Sequence, residues 1–432
     1  MPNSKPSRKC LKVITMVKGE SHIPKLRFKG FSDVWQKQPL GNQFKLKNGF
    51  AFKSEYFQEQ VSHIEVLTPG SVLPGGGYQD GKSRYYSQNG EISQEFIFKS
   101  QDIFITLTDL TPSAQALGYP AFVPKNDKIY LHNQRLGKVC DNKANDRFLL
   151  NLLCTDFYHK YVVETATGTT VKHSSAQNIL KYEASFPNLE EQTQIGNFFQ
   201  KIDQVIELQQ KALDTARDYK KSMLQKMFPQ KGEKVPQIRF DGFSGDWEEK
   251  LLNKVAQIIG GGTPDTNIEE YWNGNIDWYA PAEIGKSIYV GNSKRKITEL
   301  GLQKSSAKVL PAYRTILFTS RAGIGDMAIL SKDSATNQGF QSFVIYPEND
   351  IYFFYSMGFL IKRDALKISS GSTFLEISGK ALGSITQYFP ELEEQQKIGE
   401  FFQKLDQQIE QHEKKLESYQ NLKKAMLQRL FV

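Results

Sequence analysis

A chain that spells out the same long helical stretch twice has few ways to fold. Phe186 to Phe228 reads FPNLEEQTQIGNFFQKIDQVIELQQKALDTARDYKKSMLQKMF, and Phe389 to Phe431 reads FPELEEQQKIGEFFQKLDQQIEQHEKKLESYQNLKKAMLQRLF. About 24 of 43 gap-free positions are identical, so the two are copies of one element. In the first copy Asn188 is placed to cap the helix, with Glu191 as its capping-box partner and Glu190 at the positive end of the dipole. Apolar residues then recur in steps of four and three: Ile195, Phe199, Ile202, Ile206 and Leu213, matched by Ile398, Phe402, Leu405, Ile409 and Leu416. This is a coiled-coil seam. Its polar seats are Gln209, Lys220, His412 and Lys423, and Pro229 stops the first copy.

Connectivity sets the direction of the pair. A helix of about 39 residues is roughly 58 Å long. The block between the copies joins the end of one helix to the start of the next, and a compact domain bridges those points only if the helices run antiparallel. Phe228 and Phe389 are therefore expected close together.

The repeat extends beyond the helix. Ile23 to Trp35, IPKLRFKGFSDVW, returns as Val235 to Trp247, VPQIRFDGFSGDW. Gly30 and Gly242 imply turns, and Phe28, Phe31, Trp35, Phe240, Phe243 and Trp247 are apolar anchors, which reads as a strap that seats each half. Between strap and helix lie two divergent blocks of short strands and loops, an α+β pattern. They keep landmarks in the same order: an apolar strand ending in Thr (DIFITLT, TILFTS), an Asn-Gln pair, and a Gly/Thr loop. The expected organisation is a tail at 1–22, a domain at 23–185, a spacer helix at 186–230, a second domain at 231–388 and a second spacer helix at 389–432. The fold class is α+β: two similar α/β domains separated by an antiparallel two-helix coiled coil, a pseudo-twofold internal repeat.

Composition narrows the function. A formal charge of +8 favours a polyanionic partner. Cys10, Cys140 and Cys154 form no CxxC pair, and the longest nearly apolar run, Ile351 to Ile361, is too short to span a bilayer, so a cytoplasmic protein without membrane association is expected. The N-terminal tail reads as loose and carries no cleavable signal pattern. Catalytic signatures fail one by one. GGYQDGKS, Gly76 to Ser83, has the Walker A spacing but lacks a preceding strand and a following helix. Gly260-Gly261-Gly262-Thr263-Pro264 and the loop from Ser320 to Gly325 do not complete a dinucleotide fingerprint, and no histidine spacing suits a metal. No catalytic residues and no metal site are expected.

What remains is loops rich in hydrogen-bond donors. The first block offers Lys82, Arg84 and Tyr85; Asn133, Gln134, Arg135 and Lys138; and Thr169, Thr170 and Lys172. The second offers Lys294 and Arg295; Ser320 and Arg321; Asn337, Gln338 and Gln341; and Ser372 and Thr373. Arg reads guanine and Asn or Gln reads adenine through paired hydrogen bonds, while Lys, Ser and Thr hold phosphates. The recurring Asn-Gln pair has a second reading, as a side-chain clamp on a turn.

The order RFxGFSxxW, variable block, GTT or GST loop, then FPxLEEQxxIGxFFQKxD and a long helix, all twice over, resembles the specificity subunit of type I restriction-modification systems. The resemblance covers nearly the whole chain from Ile23. It implies two target-recognition domains, each reading one half of a bipartite, asymmetric site in double-stranded DNA. It also implies assembly with two methyltransferase subunits and with restriction subunits, which would bring S-adenosylmethionine, ATP and Mg, so that this chain itself needs no cofactor. The rival from another class is a coiled-coil scaffold with two protein-binding domains.

Overall fold

A computed structural model describes residues 14–16 (backbone only), 23–111, 113–321, 323–370 and 375–432. The chain divides into two compact units, Met1–Gln209 with Lys415–Val432, and Gln210–Lys414. Each unit therefore holds one α+β domain and a part of each long helix. The two helices are continuous, Leu189–Lys226 and Leu392–Leu430.

The first unit is built on a four-stranded antiparallel sheet in the order Lys45–Asn48, Leu136–Cys140, Ile103–Thr106, Pro120–Phe122. A three-stranded sheet runs Ile129–His132, Ile64–Leu67, Arg84–Tyr85, its first pair parallel and its second antiparallel. Glu183–Phe186, which leads into the first long helix, pairs with Gln36–Pro39. Of the expected loose tail the structure describes Ile14–Met16, a strand that pairs antiparallel with Leu26–Phe28 of the strap.

The second unit repeats this order with different residues. Its larger sheet runs Ala256–Gly260, Gln341–Ile345, Thr315–Phe318, Met327–Leu330, with Tyr289–Val290 added at the edge. Its smaller sheet runs Arg295–Ile297, Trp272–Tyr279, Ser334–Thr336, and again one pair is antiparallel and the other parallel. Glu248–Leu251 pairs with Thr386–Phe389 ahead of the second long helix.

Within each unit the helix segments run antiparallel. In the first, Phe199 meets Phe431 with ring centroids 6.0 Å apart, and Asp203 meets Lys423 at 2.7 Å. In the second, Phe402 stacks on Phe228 at 6.0 Å, and Asp406 meets Lys220 at 2.5 Å. Phe228 and Phe389 share one core cluster, as connectivity requires. Along the long helices Ile195, Phe199, Ile202, Leu213, Ile398, Phe402, Leu405 and Leu416 are buried, and Ile206 and Ile409 half-buried. Two of the polar seats are answered by ion pairs, Lys220 by Asp406 and Lys423 by Asp203, so the charges sit in partnered positions on a seam that would otherwise have to desolvate them.

The repeated motif now has a physical reason. Arg27 of the strap makes two 2.8 Å hydrogen bonds to the Glu191 carboxylate, and Arg239 makes two at 2.7 Å to Glu394. Gln192 donates to the Pro187 carbonyl and accepts from the Asn145 amide, and Gln395 does the same with Pro390 and Asp350. Trp35 packs edge-on to Phe148, and Trp247 to Phe353. A Cβ on Gly196 would come within 2.8 Å of Asn145 Oδ1, and one on Gly399 within 2.2 Å of Asp350 Oδ1, so each glycine admits the capped start of a short helix against the long one. One detail differs from expectation. Asn188 does cap, accepting from the Glu191 amide at 2.9 Å, but the Glu191 side chain goes to Arg27 instead of closing a capping box, because a buried guanidinium competes for it.

Candidate nucleic-acid interface

Three loops far apart in sequence converge on one residue in each unit. In the first, the Leu107 amide donates to the Arg135 carbonyl of the Asn-Gln loop, and the Leu107 carbonyl accepts from Ser174, just past the Gly/Thr loop. In the second, Ser320 takes the same part, donating to Gly339 and accepting from Ile377. The strand end, the Asn-Gln loop and the segment that follows the Gly/Thr loop are thus tied together by backbone groups, to which Thr108 with His173 and Arg321 with Glu376 add side-chain links that differ between the units. Next to this joint, Lys172–His173 pairs with Thr108–Asp109, and His173 Nδ1 lies 3.0 Å from Thr108 Oγ1.

The smaller sheet brings in the remaining cluster. Ile64–Leu67 and Ile129–His132 are parallel, so both end beside Asn133-Gln134, and the antiparallel strand Arg84–Tyr85 begins at that same end. Thr68 Oγ1 donates to the Lys82 carbonyl at 2.8 Å there. In the second unit Trp272–Tyr279 and Ser334–Thr336 likewise end beside Asn337-Gln338, where Lys294 and Arg295 open the edge strand. One end of the sheets therefore gathers candidate clusters of each domain.

The candidates do not all present free donors. Lys82, Arg84, Gln134, Arg135, Thr169, Thr170, Lys294, Arg295 and Gln338 are exposed, while Tyr85, Lys172 and Gln341 are half-buried. Asn133 and Asn337 spend their side-chain oxygens on their own turns, accepting from the Arg135 amide at 2.9 Å and the Gly339 amide at 2.8 Å, which is the clamp reading. Lys138 is half-buried, paired with Asp102 and placed over the Phe98 ring. Ser320 is fully buried, because a strand end points alternate side chains inward. Arg321 is paired with Glu376 at 2.6 Å. Ser372 and Thr373 lie outside the described residues.

Sequence reading missed three features of this end. Glu65 and Asp277, one in each unit, are buried carboxylates at matched positions, held by Lys128 and Lys332 at 2.5 Å each. Burial by itself would raise the Asp277 carboxyl, but Lys332 and Ser293 together hold it below the usual range. Second, Gly49 and Gly261 press their backbones against the Asn-Gln loop: an added Cβ would lie 2.3 Å from the Asn133 carbonyl oxygen and 2.0 Å from that of Asn337. Within the glycine run Gly261 serves this close approach, while Gly262 lies against Ser306 and Ala307. Third, His132 is fully buried beside its loop, with Nε2 2.9 Å from the Leu136 carbonyl, and burial lowers its pKa to about 4.

The Walker A spacing is spent on turns. The amides of Gly76, Gly77 and Gln79 donate to the carbonyls of Leu73, Pro120 and Ser71, and Ser83 donates to Glu65, so these groups form no phosphate cradle. Burial pushes the Cys154 thiol up to about 12, which keeps it protonated. Among the described residues no group of His, Cys, Asp and Glu is arranged to hold a metal ion, and no helix is long and apolar enough to cross a membrane.

A duplicated α+β domain, docked twice on a duplicated helix and carrying unlike polar loops at matching sheet ends, defines a protein with two related recognition domains. Residues 32–216 and 244–418 each match the family described as type I restriction modification DNA specificity domain. The chain belongs to that family. It is 35% identical over 193 residues to the type I restriction enzyme MjaIX specificity subunit of Methanocaldococcus jannaschii, covering 43% of this chain and 44% of that one. It is 31% identical over 198 residues to the EcoR124I/EcoR124II specificity subunit of Escherichia coli, covering 41% and 48%. The chain thus spans a little under half the length of these two relatives. Its fold resembles the crystal structure of a type I restriction-modification S subunit from M. genitalium, with a TM-score of 0.63 at 18% identity over 95% of this chain and 99% of that one. A chain from a structure described as the basis of complex assembly and conformational transition of the type I R-M system gives a TM-score of 0.53 at 16% identity, over 92% and 97%.

Proposed function

We propose that this chain is the DNA-recognition subunit of a type I restriction-modification complex and that each domain reads one half of a bipartite, asymmetric site. The observation that supports this most is the pair of matched loop junctions. The backbone joints at Leu107 and Ser320 are the same, while the side chains they present differ, as two readers of different sequences require. The exposed donors Gln134, Arg135, Thr169 and Thr170 in the first domain, and Lys294, Arg295 and Gln338 in the second, would face the duplex. The chain would do no chemistry. S-adenosylmethionine would reach the DNA on two methyltransferase subunits, and ATP with Mg on restriction subunits, and the assembly would work in the cytoplasm with the chromosome.

Methylome sequencing of a host with and without the gene tests this. A bipartite adenine mark that disappears with the gene is expected, and an unchanged methylome overturns the reading. Salt separates it from a protein-binding scaffold: duplex affinity falls steeply between low and physiological salt when phosphates are neutralised, by about a thousandfold or more for six or more contacts.

A further inference from the structure

In both units the edge strand of the smaller sheet carries an arginine in the same setting. Arg84 faces Val66 and Arg295 faces Trp278 across antiparallel pairs. The guanidinium carbon of Arg84 lies 3.9 Å from the centroid of the Phe57 ring, and that of Arg295 lies 3.6 Å from Trp272 and 5.5 Å from Trp278. One position earlier on the central strand stands the buried carboxylate, Glu65 or Asp277. It would be the natural partner of such an arginine, yet in each unit it is already taken by lysine and serine: Lys128 and Ser83 for Glu65, and Lys332, Lys296 and Ser293 for Asp277. Among the described residues neither Arg84 nor Arg295 makes an ion pair, whereas Arg217, Arg239 and Arg321 do. Both stay exposed.

A guanidinium laid against an aromatic ring loses little further freedom when it binds, and it offers a fixed pair of N–H donors at its edge. Two parallel acceptors in one plane, the O6 and N7 atoms of guanine in the major groove, match that edge. Both arginines also stand near the sheet end where the loops gather. Building on the DNA-recognition reading above, we infer that Arg84 and Arg295 are a matched pair of specificity-determining residues, each reading one guanine in its own half-site. The surrounding residues are not alike, Ser-Arg-Tyr-Tyr in one unit and Lys-Arg-Lys-Ile in the other, so the shared setting lies in the structure and not in a motif.

The competing role is a lid: each arginine also borders a small apolar cluster, Phe52, Ile64, Val66, Tyr86 and Leu131 in one unit, and Trp272, Trp278, Ile297, Ala307 and Ala335 in the other. The test compares methylomes of hosts that carry the full chain with its partner subunits, as wild type, Arg84→Ala, Arg84→Lys and Arg295→Ala. Arg84→Ala is expected to lower discrimination at one guanine of one half-site on the order of 10- to 100-fold and leave the other half-site intact. Arg295→Ala should do the converse, and Arg84→Lys should not restore discrimination, since a point charge lacks the fixed donor pair. An unchanged site in both alanine variants, an even loss at all sequences as from a phosphate contact, or full rescue by lysine overturns the proposal. If Arg84→Ala leaves no methylation, the purified chain decides. Unchanged melting with a flattened preference among duplexes differing at that base supports a reader, and lowered melting with the preference intact establishes a lid. A wild-type chain that directs no bipartite mark would count against the recognition reading itself, and is so distinguished from failure of the arginines alone.

Discussion

The two domains share the main joints that seat them on the repeated helix and differ in many of the side chains that face away from it. Arg27 and Arg239 grip Glu191 and Glu394, Gln192 and Gln395 bridge the same two backbone groups, and Trp35 and Trp247 pack on equivalent phenylalanines. At the loop end, by contrast, Thr108 corresponds to Arg321, and Arg135 to Gly339. The repeat thus separates what docks from what varies. A domain built this way can be replaced without disturbing its seat, provided the strap and helix residues are kept.

The sharpest way to break this comparison is exchange. Replacing residues 36–185 by the corresponding block of a relative should rewrite one half-site completely and leave the other as it is, read by methylome sequencing. A change in both halves would mean that the domains do not read independently. Next in size are the docking pairs. Arg27 and Glu191 are 3% and 1% exposed, and Glu191→Ala would remove the carboxylate that answers a buried guanidinium, at about 3–5 kcal/mol. Arg239 is more open at 15%, so Glu394→Ala should cost less, and chemical denaturation of the two variants would rank them. Equal costs would show that the straps seat their domains alike despite the difference in burial.

Much of this joint was legible and much of the loop end was not, for reasons that differ. The seam shows in sequence because the helical period repeats a side-chain pattern every few residues, and Phe199 and Phe402 fall on it. The strap shows because it recurs intact. The pairing of Arg27 with Glu191 does not show, since the two are 164 positions apart and a helix start gives glutamate a capping role that reads just as well. The convergence on Leu107 and Ser320 has no side-chain signature, because backbone amides and carbonyls make it. Ser320 looked like a donor for the same reason that it is none: one-dimensional reading gives the strand and its end but not which side chain there turns inward. Asn133 and Asn337 were legible as a recurring pair, and the structure supports the turn clamp over the free reader.

Acid should separate the two units. His132 is buried with its pKa lowered to about 4 by desolvation, against the hydrogen bond to Leu136, which favours the charged form. The unfolded chain takes up the proton near pH 6.5 and the folded chain only near pH 4, so the stability of this region is full above pH 6.5 and falls as pH drops toward 4. The loss reaches about 3 kcal/mol at the lower end. In the second unit the residue before the Asn-Gln pair is Thr336, also buried, which does not titrate. His132→Thr should therefore flatten the stability profile between pH 6.5 and 4. Hydrogen exchange should place the acid-sensitive opening in strands Ile129–His132 and Leu136–Cys140. A profile that the substitution leaves unchanged would assign the acid response to other groups.

The smallest effect tests the seam itself. Asp203 and Asp406 are the same residue of the repeat, and each meets the repeated lysine, Lys423 or Lys220. Their surroundings differ. Asp406 is 8% exposed and also accepts from the Tyr352 hydroxyl at 2.8 Å, whereas Asp203 is 42% exposed. The position equivalent to Tyr352 in the first unit, one after the residue that follows the helix cap, is Arg147, which reaches Asn197 instead. Asp406→Ala leaves a buried hydroxyl and a half-buried ammonium unmatched and should cost about 1–3 kcal/mol. Asp203→Ala removes a screened pair worth about 0.2–1 kcal/mol. High salt should shrink the second cost and barely touch the first. A double-mutant cycle on each pair, at low and high salt, measures both, and equal salt-dependent couplings would show that the repeat, not the local burial, sets the strength of the seam.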